Sequence, residues 1–178
     1  MKCIKTKFKG LKIIKQINNK DKRGQLRETY NDKIIKSNKF VFEYCTTSKG
    51  GIVRGFHFQY KFQQAKYVNV IKGKILDYVI DLRKNSKTFG KTFKIILSEK
   101  NCTGLYIPAG FAHAYYNYEK INIIYYKLTN YYEPKYEDGI KWDDKVLKIK
   151  WPIKKPIISK KDKKLGTFID FKNKYKCL

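Results

Sequence analysis

The chain has 178 residues, the size of one domain rather than two, and long enough to close a core. Hydrophobic residues make up 42% and aromatics 16%, which excludes a chain disordered throughout. Lys and Arg number 41 against 15 Asp and Glu, a net charge of +26, which by itself suggests a nucleic-acid or membrane-surface binder.

The distribution of that charge argues against specific nucleic-acid recognition. Arg occurs only at positions 23, 27, 54 and 83, and base readout and bidentate phosphate clamps favour its planar fork. The Lys is spread from residue 2 to residue 176 amid abundant Ile, Asn and Tyr, a composition that an AT-rich genome reaches without selection for a basic surface. A scattered positive field still attracts a small anion such as a sugar diphosphate. Residues 1–16, MKCIKTKFKGLKIIKQ, are interrupted by Lys and hold no apolar core of a signal peptide, and no segment approaches a membrane span. Cys3, Cys45, Cys102 and Cys177 are too far apart for a CxxC motif. The expectation is a reduced, cytoplasmic protein without membrane insertion.

In chain order, Asn31–Lys36 reads as one short helix with Asn31 as its N-cap. The strands expected after it are Lys39–Cys45, Gly51–Gln59, Tyr67–Ile71, Lys74–Leu82, Lys91–Leu97, Gly104–Ile107, His113–Asn117 and Asn122–Leu128. Turns separate them at 49–51, 72–73, 85–86 and 108–110. No long run has a 3.6-residue period, so helices are minor and the class is all-β, a sandwich or barrel with its core at about 40–151. In Lys74–Leu82 the alternation puts Leu76, Tyr78, Ile80 and Leu82 on an apolar face expected to be core. Asp77 and Asp81 share the other face with Val79, either solvated or inside a polar lumen. The same alternation puts His57 on one face with Val53, Gly55 and Gln59. Tyr126 falls on the apolar side of its strand with Ile124 and Leu128, and Ser159–Asp162 sits in a charged tail.

Taken singly, a strand histidine, a core tyrosine and a charged tail have ordinary structural explanations. In order they resemble the dTDP-4-dehydrorhamnose 3,5-epimerase family: Asp21-Lys22-Arg23-Gly24 with Glu28-Thr29, Gly51 to Gln59, Ile80-Asp81-Leu82-Arg83-Lys84, Ile107 to His113, Tyr126-Lys127 with Thr129 to Tyr132, Gly139 to Asp144, Trp151-Pro152 and Ser159 to Asp162. The resemblance implies a single domain, 1–178, built as a cupin-type jelly-roll barrel. Residues 152–178 would close the site, and the N-terminal strands would be exchanged in a homodimer. It implies a nucleotide-diphosphate 4-keto-6-deoxy sugar as substrate, whose ketone acidifies the C–H bonds at C3 and C5. Deprotonation to an enolate and reprotonation on the opposite face need no cofactor.

By the same resemblance His57 is the base, its imidazole suited by an unperturbed pKa of about 6.5. Asp162 is the carboxylate paired with it, Tyr126 the acid on the opposite face, and Lys66 the positive charge near the C4 oxygen. His113, Asp77 and Gln59 belong to the substrate pocket, while Arg54, Arg23, Glu28, Glu137 and Lys161 hold the nucleotide and sugar, Arg23 and Glu28 coming from the partner subunit. Arg54 and His57, three apart, point to opposite faces of an ideal strand, so a bulge at Gly55 is needed to bring both to one cavity. Family members usually carry Gln and Asn near 42 and 44; here Phe42 and Tyr44 stand, and Leu26 replaces an aromatic. Tyr44 either packs or stacks on a base larger than thymine. A GDP-4-keto-6-deoxy-heptose epimerase, a 3,4-ketoisomerase on the same barrel, and a basic binding module without catalysis are the alternatives.

Overall fold

A computed structural model describes residues 1–35 and 39–178. Strands β1 (Lys2–Lys5) and β2 (Lys12–Lys15) precede the hairpin β3 (Ile17–Asp21) and β4 (Gly24–Glu28), and the short helix α1 (Asp32–Ile35) follows. The barrel strands are β5 (Phe42–Ser48), β6 (Val53–Gln59), β7 (Lys66–Lys72), β8 (Lys74–Asp81), β9 (Thr92–Ser98), β10 (Thr103–Ile107), β11 (Phe111–Asn117) and β12 (Asn122–Leu128). Then come β13 (Glu137–Gly139), a 3-10 turn at Asp162–Lys164, and helix α2 (Phe168–Tyr175). All eight expected strands are present within three residues of their expected ends. The Asn31 side chain accepts from Lys33 N at 3.1 Å, as an N-cap does, while Lys36 of the expected helix lies outside the described residues.

Two antiparallel sheets form the jelly roll. One has six strands in the order β1-β2-β10-β7-β12-β5, the other five in the order β13-β6-β11-β8-β9, and the hairpin β3-β4 is a separate ribbon. Alternation then decides what lies where. Val68, Val70, Val79, Leu105, Phe111, Tyr115, Ile124 and Tyr126 face the lumen and form one buried cluster. Strand β8 bears out one expectation. Its apolar face of Leu76, Tyr78 and Ile80 is core, buried with Val53, Phe56 and Phe58 on the outer side of the five-stranded sheet rather than inside the barrel. Asp77 and Asp81 point into the lumen, both fully buried. Both faces of the sheet are covered, so the polar side of a strand here is an interior.

The cover over the outer face is the segment after β13. Trp142, Leu147, Trp151 and Ile158 pack on that cluster, with Phe168 and Phe171 of α2. Asp144 ties the layer together: Oδ1 accepts from Val146 N and Leu147 N, each at 2.9 Å, and Oδ2 accepts from Phe168 N at 2.8 Å. Helix α2 begins with a capping box in which Thr167 and Asp170 satisfy each other's backbone N–H groups. The sequence reading passed over α2, because eight residues yield too little periodicity against a Lys-rich background.

Phe171 is 3% exposed and meets Phe58 edge-on at 5.3 Å. Phe171→Ala is expected to cost about 3–5 kcal/mol, read as a lowered urea midpoint.

Candidate active site

The site begins with an irregularity in β6. His57 pairs with His113 of β11, but Arg54 pairs with Tyr115, so three steps on β6 face two on β11. That extra residue flips the alternation. Val53, Phe56 and Phe58 point outward, whereas His57 and Gln59 line the cavity between the sheets, and Arg54 is opposite the lumenal Tyr115. Val53 therefore does not share the face of His57, and Arg54 does. Gly55 permits the bulge: its φ is +102°, and a Cβ there would lie 2.4 Å from the His113 carbonyl oxygen.

The bulge also frees a donor. Gly55 N donates to Asp162 Oδ2 at 3.1 Å, and His57 Nε2 lies 2.8 Å from Asp162 Oδ1. Asp162 is 3% exposed. Its segment is pinned on both sides by bridges to the barrel, Ile52 with Ile157 and Ile140 with Gly166. Burial alone pushes its carboxyl up, but the hydrogen bond and charge of His57, with the Gly55 N–H and Ser159, hold it below the ordinary 3.8. An ionised carboxylate only accepts, so His57 donates from Nε2. In the neutral ring Nδ1 is then the nitrogen with the lone pair, and it faces Glu137, 3.8 Å from Oε1, too far for a hydrogen bond.

Glu137 is opposite Gln59 at the β13–β6 pairing. Tyr132 Oη donates to Glu137 Oε2 at 2.6 Å, and Lys161 Nζ pairs with the same oxygen. These partners overcome burial and keep Glu137 below its ordinary value. Lys66 of β7 shares the cavity wall with Tyr44, His57, Gln64, Tyr132 and Glu137. Burial lowers its pKa, opposed by the charges of Glu137 and Asp77. Deeper in the lumen, His113 Nε2 lies 2.8 Å from Asp77 Oδ2. Burial pushes the Asp77 carboxyl up, opposed by His113 and Lys66.

Tyr126 of β12 belongs to the opposite sheet and is 2% exposed. Its ring centroid is 6.2 Å from that of His113. Burial first, then the neighbouring phenols of Tyr115 and Tyr44 and the charge of Asp77, raise its pKa well above the ordinary phenol, so it stays protonated. The structure thus brings His57, Asp162, Lys66, Glu137, Lys161, Asp77, His113 and Tyr126 into one connected region between the sheets.

Gln59 lines the cavity with its amide already engaged. Nε2 donates to the carbonyls of Phe62 and Tyr131, and Oε1 accepts from Glu133 N. Arg54 Nε donates to Ser48 Oγ at 3.0 Å. Arg23 and Glu28 stand apart from their own chain's cavity on the β3-β4 hairpin. The Arg23 side chain is 91% exposed and pairs with Asp21, and Glu28 accepts from Asn31 Nδ2 at 2.7 Å. Sequence reasoning gave no role to Tyr132, though it falls in a matching segment, and passed over Gln64 and Tyr115. Tyr115 was findable two residues after His113 on the same face, whereas Tyr132 and Gln64 sit outside the regular strands, where no period marks a direction.

Comparison with known proteins points to one family. A family model described as dTDP-4-dehydrorhamnose 3,5-epimerase matches residues 5–170. Among curated relatives, the dTDP-4-dehydrorhamnose 3,5-epimerase of Methanothermobacter thermautotrophicus is 41% identical over 167 residues, covering 90% of each chain. That of Shigella flexneri is 35% identical over 176 residues, covering 96% of this chain and 97% of its own. The Bacillus anthracis enzyme, solved with TDP and PPi bound, superposes with a TM-score of 0.90 at 36% identity, covering 94% of this chain and 99% of its own. The Legionella pneumophila enzyme, solved in complex with dTDP-4-keto-L-rhamnose, gives 0.88 at 33%, covering 93% and 91%.

Asp162→Asn should lower stability by about 1–3 kcal/mol at pH 7. A carboxyl depressed in the folded state stabilises above its unfolded value and loses that contribution as pH falls through the folded value. The gap between wild type and variant in urea unfolding should therefore shrink as pH falls below about 4 and close as pH passes below the folded carboxyl's value.

Proposed function

The chain belongs to the dTDP-4-dehydrorhamnose 3,5-epimerase family, and on that premise we propose how its residues invert C3 and C5 of a thymidine-diphosphate 4-keto-6-deoxy sugar. The observation that carries the reading is the His57–Asp162 pair, which leaves a lone pair on Nδ1 at the cavity wall while a protonated phenol, Tyr126, stands in the facing sheet.

His57 Nδ1 takes the proton from the carbon next to the ketone, and the bond's electrons move onto the C4 oxygen. Asp162 stabilises the imidazolium that forms, through Nε2–H. Lys66 supplies positive charge for the enolate oxygen. A proton returns to carbon from the opposite face, from Tyr126 at C5 and from water at C3; His57 then gives its proton to water and Tyr126 takes one back, so both groups return to their starting state. Arg54, Lys161 and Glu137 hold the diphosphate and sugar, Arg54 by the planar fork that suits phosphate oxygens. Asp77 and His113 fix the polar floor of the lumen. The thymidine-sugar epimerases among the relatives favour this reading over a GDP-heptose epimerase, a ketoisomerase or a basic binding module.

The assembly in this reading is a homodimer in which the β3-β4 hairpin of one protomer reaches the cavity of the other with Arg23 and Glu28. In support, the hairpin stands as a separate ribbon, and its Ile17 and Leu26 are 43% and 68% exposed. Exposed apolar side chains on an uncovered ribbon suit a protein contact.

Incubating a dTDP-4-keto-6-deoxy sugar with the protein in D₂O should bring deuterium into C3 and C5, read by proton NMR. His57→Asn should abolish both signals, and Tyr126→Phe should slow C5 more than C3, each loss about 10²–10⁴-fold. Full activity in either variant would discard that residue's role. Arg23→Ala should lower kcat/KM about 10-fold or more by losing a charge-assisted contact. Leu26→Glu should weaken the dimer in sedimentation; a monomer as active as wild type would refute the exchanged hairpin.

A further inference from the structure

One ring in the cavity wall has no part in the chemistry above. Tyr44 of β5 pairs directly with Tyr126 of β12, and both side chains face the lumen. Directly opposed residues bring their side chains into contact. The two rings lie 4.7 Å apart at 23°, a near-parallel stack. Phe42, two residues earlier on the same face, lies 5.7 Å from Tyr44 and 6.3 Å from Tyr131, and so backs the ring along the strand.

The order of the strands gives this stack its consequence. Strand β5 is the edge of the six-stranded sheet and β12 lies one strand deeper. Tyr44 accordingly lines the cavity with His57 and Lys66, whereas Tyr126 does not and is 2% exposed. His57 and Lys66 are thus at the cavity wall, and Tyr126 stands behind it, stacked against the Tyr44 ring of the edge strand. A ring committed on one face to Tyr126 also offers a nucleobase only its other face.

Resting on the epimerase reading, we propose that Tyr44 is a cover over the Tyr126 acid and sets the ratio of C5 to C3 epimerisation. Exchange at C3 depends on His57 and proceeds in the covered state, while protonation at C5 waits for the ring to leave its stack. Tyr44 is thus a specificity-determining residue that acts through Tyr126.

The test is deuterium exchange in D₂O with a dTDP-4-keto-6-deoxy sugar, and the readout is the C5:C3 ratio rather than either rate. Tyr44→Phe keeps the ring and should keep the ratio. Tyr44→Asn removes it and should raise the ratio about 2- to 10-fold, the population shift expected from losing one aromatic pair. The double variant Tyr44→Asn/Tyr126→Phe should lose that gain, because the gain passes through the phenol. Tyr44→Leu, which keeps apolar volume without the stack, should raise the ratio likewise and serves if the asparagine variant does not fold. An unchanged or lowered ratio in Tyr44→Asn or Tyr44→Leu, or a gain that survives in the double variant, would overturn the cover. Absence of exchange at both carbons in the wild type would instead overturn the epimerase reading beneath it.

Discussion

A single carboxylate joins the backbone irregularity of this barrel to its chemistry. The bulge at Gly55 leaves an N–H without a ladder partner, and Asp162 accepts from it with one oxygen and from His57 with the other. A buried donor left unpaired is costly, so the bulge and the carboxylate need each other. The same two bonds set the tautomer of His57 and aim its free nitrogen into the cavity. Restoring a regular β6 would turn Arg54 and His57 to opposite faces and leave Asp162 buried with one partner fewer.

That arrangement survives because it is clamped from outside. The five-stranded sheet is buried on both faces, and the segment after β13 does the covering through Trp142, Trp151, Phe168 and Phe171. Asp162 lies within this covering segment, between two backbone bridges. Side chains remote from the cavity therefore hold His57, the base in the proposed reading, in register. Rigid placement of this kind is what general acid–base catalysis between two opposed groups requires.

The cavity also alternates its charges. Lys66 is set among Asp77 and Glu137, Glu137 is bound by Lys161, and His57 stands between Asp162 and Glu137. Lys66 with Asp77, and Glu137 with Lys161, favour each other's charged forms against the desolvation that burial imposes. The chain as a whole, at a net charge of +26, favours approach of an anionic diphosphate without needing a specific patch.

Much of this could be read from residue order. Period-two alternation and turn residues were enough for the eight barrel strands, and the motif blocks that hold His57, His113, Tyr126 and Asp162 carried the resemblance to a nucleotide-sugar epimerase family. Strand parity also showed that Asp77 and Asp81 share a face. It could not say that this face is the lumen, because alternation distinguishes two sides of a strand and is silent on which one another layer covers. Nor could it decide the direction of Arg54, since one extra residue in β6 reverses every side chain before it and only the pairing with β11 reveals it. The stack of Tyr44 on Tyr126 joins residues 82 apart in sequence through the β5–β12 register, and a contact set by pairing between distant strands exists only once the sheets have formed.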